Sequence, residues 1–253
     1  MHYYIVTGAS SGLGKETARL LLRPEHHVVS ISRREPIGLM AQANQTGGRF
    51  TWLEQDLSNI GELPGCVDRL MQLVAASGTP ALSMHLIHNA AAAAPFKALD
   101  HHSPEEISAS LNVNVHAPVL LSSLWIQRIR SLHIPKQLIV ITSASADYPM
   151  AGMSLYCSAK AGLNMMVRCL QLEQRGLPYG VHIAAVDPGM MDTPMQAAAR
   201  EAHELSFPAT AFFRQSRESG QLRTPESVAQ RLIEWMSDLA VKPEADSGTV
   251  HRL

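Results

Sequence analysis

Tyr156 and Lys160 stand four residues apart, and Ser143 lies thirteen residues before Tyr156. If residues 154 to 170 form a helix, this spacing puts the phenol and the ammonium one turn apart on a shared face. A free tyrosine titrates near ~10 and relays protons poorly at neutral pH. An ammonium within about 4–6 Å stabilises the phenolate and brings that pKa toward the working range. A hydroxyl such as that of Ser143 then holds a carbonyl oxygen while the phenol gives up its proton. Two unrelated surface residues on a helix share the same Tyr-x-x-x-Lys spacing, so a second motif has to give it meaning.

That second motif opens the chain. Tyr3-Tyr4-Ile5-Val6-Thr7 reads as a strand, Gly8 to Gly14 as a glycine-rich turn, and Ala18, Leu20, Leu21 and Leu22 as the apolar residues of a helix behind it. Glycines at 8, 12 and 14, with Ser10, Ser11 and Leu13 between them, let backbone N–H groups approach an anion closely. The helix N-terminus adds a favourable field for a pyrophosphate. The spacing is G-x-x-x-G-x-G rather than G-x-G-x-x-G, and its place after the first strand is the context a dinucleotide cradle requires.

Beyond this unit, apolar runs alternate with helical segments, the pattern of an α/β doubly wound parallel sheet with helices on both faces. Strands are expected at 3–7, 27–32, 49–54, 83–88, 137–142, 180–186 and 248–251. Ser103-Pro104-Glu105-Glu106 and Thr224-Pro225-Glu226 read as helix starts. No repeat or linker divides residues 1–253, so a single domain is expected, with a lid segment at 190–219. Ala90 to Ala94 reads as a small-residue loop that allows close approach of a ligand.

Together the motifs resemble the short-chain dehydrogenase/reductase family, in its branch of about 250 residues. Thr7 to Gly14 is similar to the family's T-G-x-x-x-G-x-G loop. Asn89-Ala90 sits where the family has N-N-A-G, though here the run is His88-Asn89-Ala90-Ala91. Asn114, Ser143, Tyr156 and Lys160 match the catalytic tetrad, and Pro188-Gly189 with Thr193 matches the P-G-x-x-x-T segment that covers a nicotinamide. The resemblance implies a Rossmann-like fold and hydride transfer between a nicotinamide and a carbonyl carbon. It implies Tyr156 as general acid, Ser143 orienting the carbonyl, Lys160 holding the ribose, and Asn114 positioning a relay water. It also places Asp56 and Leu57 at the adenine edge and Met191 beside the cofactor, and it implies a homodimer or homotetramer paired through helices near 104–130 and 154–176.

Cofactor choice turns on the end of the second strand. An acid there would bind the ribose 2′-hydroxyl of NAD. Ser32 stands in that place and Arg33-Arg34 follow, with Glu35 close by. A guanidinium takes a 2′-phosphate bidentately where a carboxylate would repel it. NADP(H) is therefore expected over NAD(H), unless both arginines are solvated loop charges.

Composition narrows the remaining choices. A net charge of −1 without a basic stripe gives no electrostatic support for nucleic-acid binding. No apolar run reaches the ~18–20 residues of a membrane span. The chain opens on a strand, so no leader is expected. Cys66, Cys157 and Cys169 form no C-x-x-C pair and fit reduced thiols in a cytoplasmic protein. The twelve histidines are scattered, and no metal site is expected.

For the substrate, Met150, Met153, Met190 and Met195, with Phe207, Phe212 and Phe213, offer an apolar pocket wall. Alternatively, residues 190–219 are two short helices packed on the core. The apolar wall favours an aromatic or otherwise apolar ketone over a charged substrate. Asp192-Thr193-x-Met195-Gln196, Ser219-Gly220-Gln221-Leu222 and Ser32-Arg33-Arg34 resemble sepiapterin reductases, and still more the bacterial benzil reductases. Sepiapterin reductases hold their pterin with an acid near the C-terminus. Gly248-Thr249-Val250-His251-Arg252-Leu253 has none, which favours a vicinal diketone over a pterin. Oxidative action on an alcohol or steroid, and a non-catalytic dinucleotide sensor, are the competing readings. The sensor should lack a tetrad residue, and none is missing.

Overall fold

The computed structural model describes residues 1–93, 95–241 and 250–253. Seven strands run parallel: β1 (His2–Thr7), β2 (His26–Ser32), β3 (Arg49–Glu54), β4 (Ser83–His88), β5 (Lys136–Ile141), β6 (His182–Asp187) and β7 (Val250–Arg252). They form one sheet in the order β3-β2-β1-β4-β5-β6-β7. Every residue of β4 and β5 is buried, as expected of central parallel strands covered on both faces.

Alternate residues of the strands serve two cores. Tyr3, Ile5, Leu86, Leu138, Val140 and Ile183 pack with α3 (Leu63–Ala76), α5 (Ala117–Ile129) and α6 (Ser154–Gln174). Val6, Val28, Ile87, Ile139, Ile141 and Val186 face the other way, onto α1 (Gly12–Leu21), α2 (Leu39–Thr46) and α9 (Pro225–Val241). The period-two side-chain alternation of a strand thus builds the two helical layers directly.

The helix starts form as the sequence predicts. At α4 (Pro104–Leu111) the Ser103 hydroxyl accepts from Glu106 N at 3.2 Å, and the Glu106 carboxylate accepts from Ser103 N at 2.9 Å. At α9 the Thr224 hydroxyl accepts from Ser227 N at 3.1 Å. Strand six starts at His182 rather than residue 180. Gly180 N donates to Leu177 O at 3.0 Å and Val181 N to the Gln174 side chain at 3.1 Å, so both are committed to the preceding turn. Residues 248 and 249 of the expected last strand, and Ala94 of the expected loop, lie outside the described residues. The 190–219 segment forms two short helices, α7 (Pro194–Glu201) and α8 (Thr210–Glu218).

Candidate active site

The order of the strands reverses between β1 and β4, and a crevice opens beyond their carboxyl ends. Gly8 follows β1 with a φ of +72°, and a Cβ there would lie 2.8 Å from Ala90 Cα in the loop after β4. Asn89 ties the two loops together. Its side-chain N–H donates to Thr7 O at 3.1 Å and Gly8 O at 3.2 Å, while its backbone N–H donates to the Thr7 hydroxyl at 3.0 Å. At Gly14 a Cβ would be 2.3 Å from the Asn89 side chain, so α1 sits too close to this loop for any larger residue.

These residues fit a dinucleotide. Ser11 is the N-cap of α1 but makes no side-chain capping bond, and the first turn carries no acid. The helix therefore keeps free N–H groups and an unopposed dipole beside the glycine turn, where a pyrophosphate is favoured. Ser10 lies in the same turn, and Leu13 anchors it to the core. Thr193, N-cap of α7, comes to the same place, its methyl 3.4 Å from where a Gly12 Cβ would be.

At the end of β2 the Ser32 hydroxyl donates to Arg34 O at 2.9 Å, which fixes the bend that sends Arg33 and Arg34 outward. Arg33 is largely exposed and stands 3.9 Å from a carboxylate oxygen of Asp56. The other Asp56 oxygen accepts from Ser58 N and from the Ser58 hydroxyl, both at 2.8 Å, so Asp56 also organises its own turn. Leu57 is buried against the core beside it.

The tetrad residues come from three elements. Ser143 follows β5, Tyr156 and Lys160 share one face of α6, and Asn114 occupies a π-helical turn, Asn112–His116, between α4 and α5. A π-turn inserts one extra residue and re-aims the side chains around it, a device that recurs at functional sites. The Ser143 oxygen accepts from Ser145 N at 3.1 Å. The Lys160 ammonium donates to Ile141 O at 2.8 Å and stands 5.5 Å from the Tyr156 ring centroid.

Burial dominates the electrostatics of this group. It pushes the Tyr156 phenol up to about 12, against a downward pull from hydrogen bonding with Ser143. It also draws Lys160 down to about 8. Burial is the largest cause of the phenol's shift, and the ammonium expected to lower it is hydrogen-bonded to the Ile141 carbonyl in this arrangement. Behind the group His88 is fully buried and shares a 2.9 Å hydrogen bond with Ser122. Burial, then the Lys160 charge, lower its pKa to about 3.

On the open side, Met153, Tyr156, Phe96, Ala199 and Phe207 form a separate apolar cluster, with Met150, Met195 and Phe213 against it. Phe96 and Phe207 stack at 4.7 Å between centroids. Met190 stands apart from this cluster, more than a third exposed, and Phe212 is about half exposed, edge-on to Phe213. Met191 instead packs on the α1–α9 core and bridges to Arg223. A cavity beside Tyr156 is lined by Ala93, Pro95 and Met153, and by the polar His102, Glu106 and Ser110.

The sequence reading did not single out Phe96 or Arg223. The Arg223 guanidinium donates to Pro188 O and, at 3.0 Å, to Leu253 O, so it fastens the Pro188–Thr193 segment to the last strand. Its only sequence signal is its place two residues before the α9 start, which says nothing about such a contact. Among the described residues no group of three metal-ligating side chains occurs, and no helix is long and apolar enough to cross a membrane.

Comparison with known proteins identifies the family. Residues 2–204 match the family model described as short chain dehydrogenase. A benzil reductase ((S)-benzoin forming) of Bacillus cereus is 33% identical over 232 residues, covering 92% of each chain. One from Bacillus subtilis (strain 168) is 34% identical over 233 residues with the same coverage. The crystal structure of the KRED1-Pglu enzyme superposes over 100% of both chains with a TM-score of 0.80 at 23% identity. The chain belongs to the short-chain dehydrogenase/reductase family and is an oxidoreductase that uses a nicotinamide dinucleotide.

Proposed function

We propose that the chain is an NADPH-dependent carbonyl reductase acting on an apolar ketone, with a vicinal diketone of the benzil kind as the best fit. The observation that carries this reading is the juxtaposition of Tyr156 with an apolar wall of Met153, Phe96, Phe207 and Met195. The likeness to two benzil reductases across nearly the whole chain supports it.

A bound nicotinamide supplies the hydride. Tyr156, kept protonated by its burial, gives its proton to the carbonyl oxygen. Ser143 donates a hydrogen bond to that same oxygen as negative charge develops on it. Lys160 offsets the phenolate left behind and holds the ribose hydroxyls. Asn114, through its π-turn, positions the water that returns a proton to Lys160. Arg33, exposed at the end of β2, receives the 2′-phosphate, and Ser32 leaves room for it where an acid would repel it. The α7–α8 segment closes over the substrate and carries Met195, Phe207 and Phe213 with it. Exposed Leu111, Val119, Met165 and Leu172 on α4, α5 and α6 support pairing of two copies through these helices.

The test is NADPH consumption against benzil, sepiapterin, isatin and a simple aryl ketone, with NADH in parallel. Turnover of benzil with NADPH and little turnover of sepiapterin is the expected result. Efficient reduction of sepiapterin would move the assignment to the pterin ketone. Silence with every carbonyl, together with oxidation of alcohols by NADP+, would overturn reduction as the working direction.

A further inference from the structure

Asp187 closes β6 and is 6% exposed. Val186 pairs with Ile141, and Thr142 N donates to Val186 O at 2.8 Å, so Asp187 lies alongside the Thr142–Ser143 step at the mouth of the site. One carboxylate oxygen accepts from Gly189 N at 2.9 Å and shapes the Pro188–Gly189 turn. An asparagine oxygen would accept the same bond, so the turn does not require the negative charge. Among the described residues no ion pair joins this carboxylate to a cationic side chain. Lys160 is turned to Ile141 O, Arg223 to Pro188 O and Leu253 O, and Arg252, its register partner on β7, to Asp147 at 3.7 Å.

A nearly buried carboxylate that makes no ion pair is costly, even with the Arg223 guanidinium packed against neighbouring Gly189. Here the cost also falls on the catalytic group, because the Asp187 charge adds to burial in raising the Tyr156 phenol. A cation that arrives with a ligand would offset the cost. The nicotinamide ring is neutral when reduced and cationic when oxidised. We infer that Asp187 is the electrostatic partner of the oxidised nicotinamide, favouring NADP+ relative to NADPH and easing departure of the hydride. This rests on the family's use of a nicotinamide dinucleotide and on the proposed seat of that ring beneath Pro188–Thr193. As the hydride leaves with its two electrons, the ring gains the positive charge that Asp187 faces. The carbonyl oxygen takes its proton from Tyr156, whose phenolate is compensated by Lys160.

Asp187→Asn separates charge from shape, since it keeps an oxygen for Gly189 N. The measurement is the dissociation constant of NADP+ and of NADPH for the full chain and for the variant, by titration calorimetry without carbonyl present. The ratio Kd(NADP+)/Kd(NADPH) is expected to rise about three- to ten-fold in the variant, with NADPH affinity nearly unchanged. The phenolate absorbance of Tyr156, assigned by comparison with Tyr156→Phe, should titrate at lower pH. An unchanged ratio would overturn the inference and leave Asp187 as a turn residue. Failure of the parent chain to bind either dinucleotide would overturn the cofactor reading itself, and this inference with it. If the asparagine variant lacks a melting transition, Asp187→Ser carries the same comparison, because its hydroxyl can also accept from Gly189 N.

Discussion

Asn114 and Ala92 bind each other twice: the Asn114 amide donates to Ala92 O at 2.6 Å and accepts from Ala92 N at 2.8 Å. A third bond runs from the same amide to the Ser110 hydroxyl at 3.2 Å. The side chain is therefore committed to fastening the small-residue loop after β4 to the π-turn, and only the turn's backbone is left to order a water. Asn114→Ala breaks all three bonds and leaves the Ala92 groups without partners. A loss of about 1–3 kcal/mol is expected. For a chain of this size that lowers Tm by about 2–4 °C per kcal/mol. Turnover should fall more steeply than the melting temperature implies, because Ala92 belongs to the loop that lines the crevice. Thermal melts set beside kcat would check both. A variant that melts earlier but turns over normally would remove Asn114 from the relay.

Tyr156→Phe keeps the ring and removes the proton. Turnover should drop by about 10²–10⁴-fold with NADPH binding retained, as befits a general acid. The pH profile tests the electrostatics separately. With the phenol at about 12 and Lys160 at about 8, the phenol stays protonated throughout the usual assay range while the ammonium does not. Reduction, followed as kcat/KM for NADPH, should therefore decline as pH rises through about 8, where Lys160 loses its charge. Lys160→Met should lower the rate throughout and abolish that limb. A limb that survives in Lys160→Met belongs to another group.

Arg33 stands 3.9 Å from Asp56 and is mostly solvated, so releasing that contact to bind a phosphate costs little. A guanidinium–phosphate bond is worth about 1.5–3 kcal/mol, or about ten- to a hundred-fold in affinity. Arg33→Ala should weaken NADPH by that factor and leave NADH within about two-fold. Binding titrations with both dinucleotides decide it. Equal losses would mean that Arg33 shapes the loop rather than reading the 2′-phosphate.

The placement of Tyr156, Lys160 and the glycine turn was legible because it depends on spacing along one helix or around one turn. Tyr156 and Lys160 meet on α6 as a four-residue interval dictates, and Gly8, Gly12 and Gly14 crowd Ala90, Thr193 and Asn89. Strand positions were legible because short apolar stretches such as Leu138-Ile139-Val140-Ile141 mark the strand centres, although His85 and His88 interrupt β4. Arg223 was not legible, since its guanidinium reaches Pro188 across 35 residues and Leu253 across 30, and no local pattern encodes such a reach. Phe96 was missed because its partner Phe207 lies on a different loop. The phenol's upward shift was missed for a related reason. Spacing shows that an ammonium is near, but only the packed structure shows that the Ile141 carbonyl has taken it.

Acid sensitivity follows from two histidines that the site does not use. His85 shares hydrogen bonds with Ser83 at 2.7 Å and Gln137 at 2.8 Å, and burial lowers its pKa to about 4. His88, bonded to Ser122, is lowered to about 3. Both are held neutral in the folded chain, whereas each would take up a proton near pH 6.5 once unfolded. As pH falls below about 6.5, the unfolded state therefore binds more protons than the folded one, and stability declines until the folded pKa values near 4 and 3 are reached. At pH 5 each contributes a loss of about 2 kcal/mol relative to pH 7. Denaturant melts at pH 7 and pH 5 should differ by at least the sum, because burial lowers His27 to about 4 as well. In His85→Gln that difference should shrink by about 2 kcal/mol, because glutamine preserves hydrogen bonding without a titrating group. A variant with an unchanged pH dependence would mean that His85 gains its proton without unfolding, through rearrangement of Ser83 and Gln137.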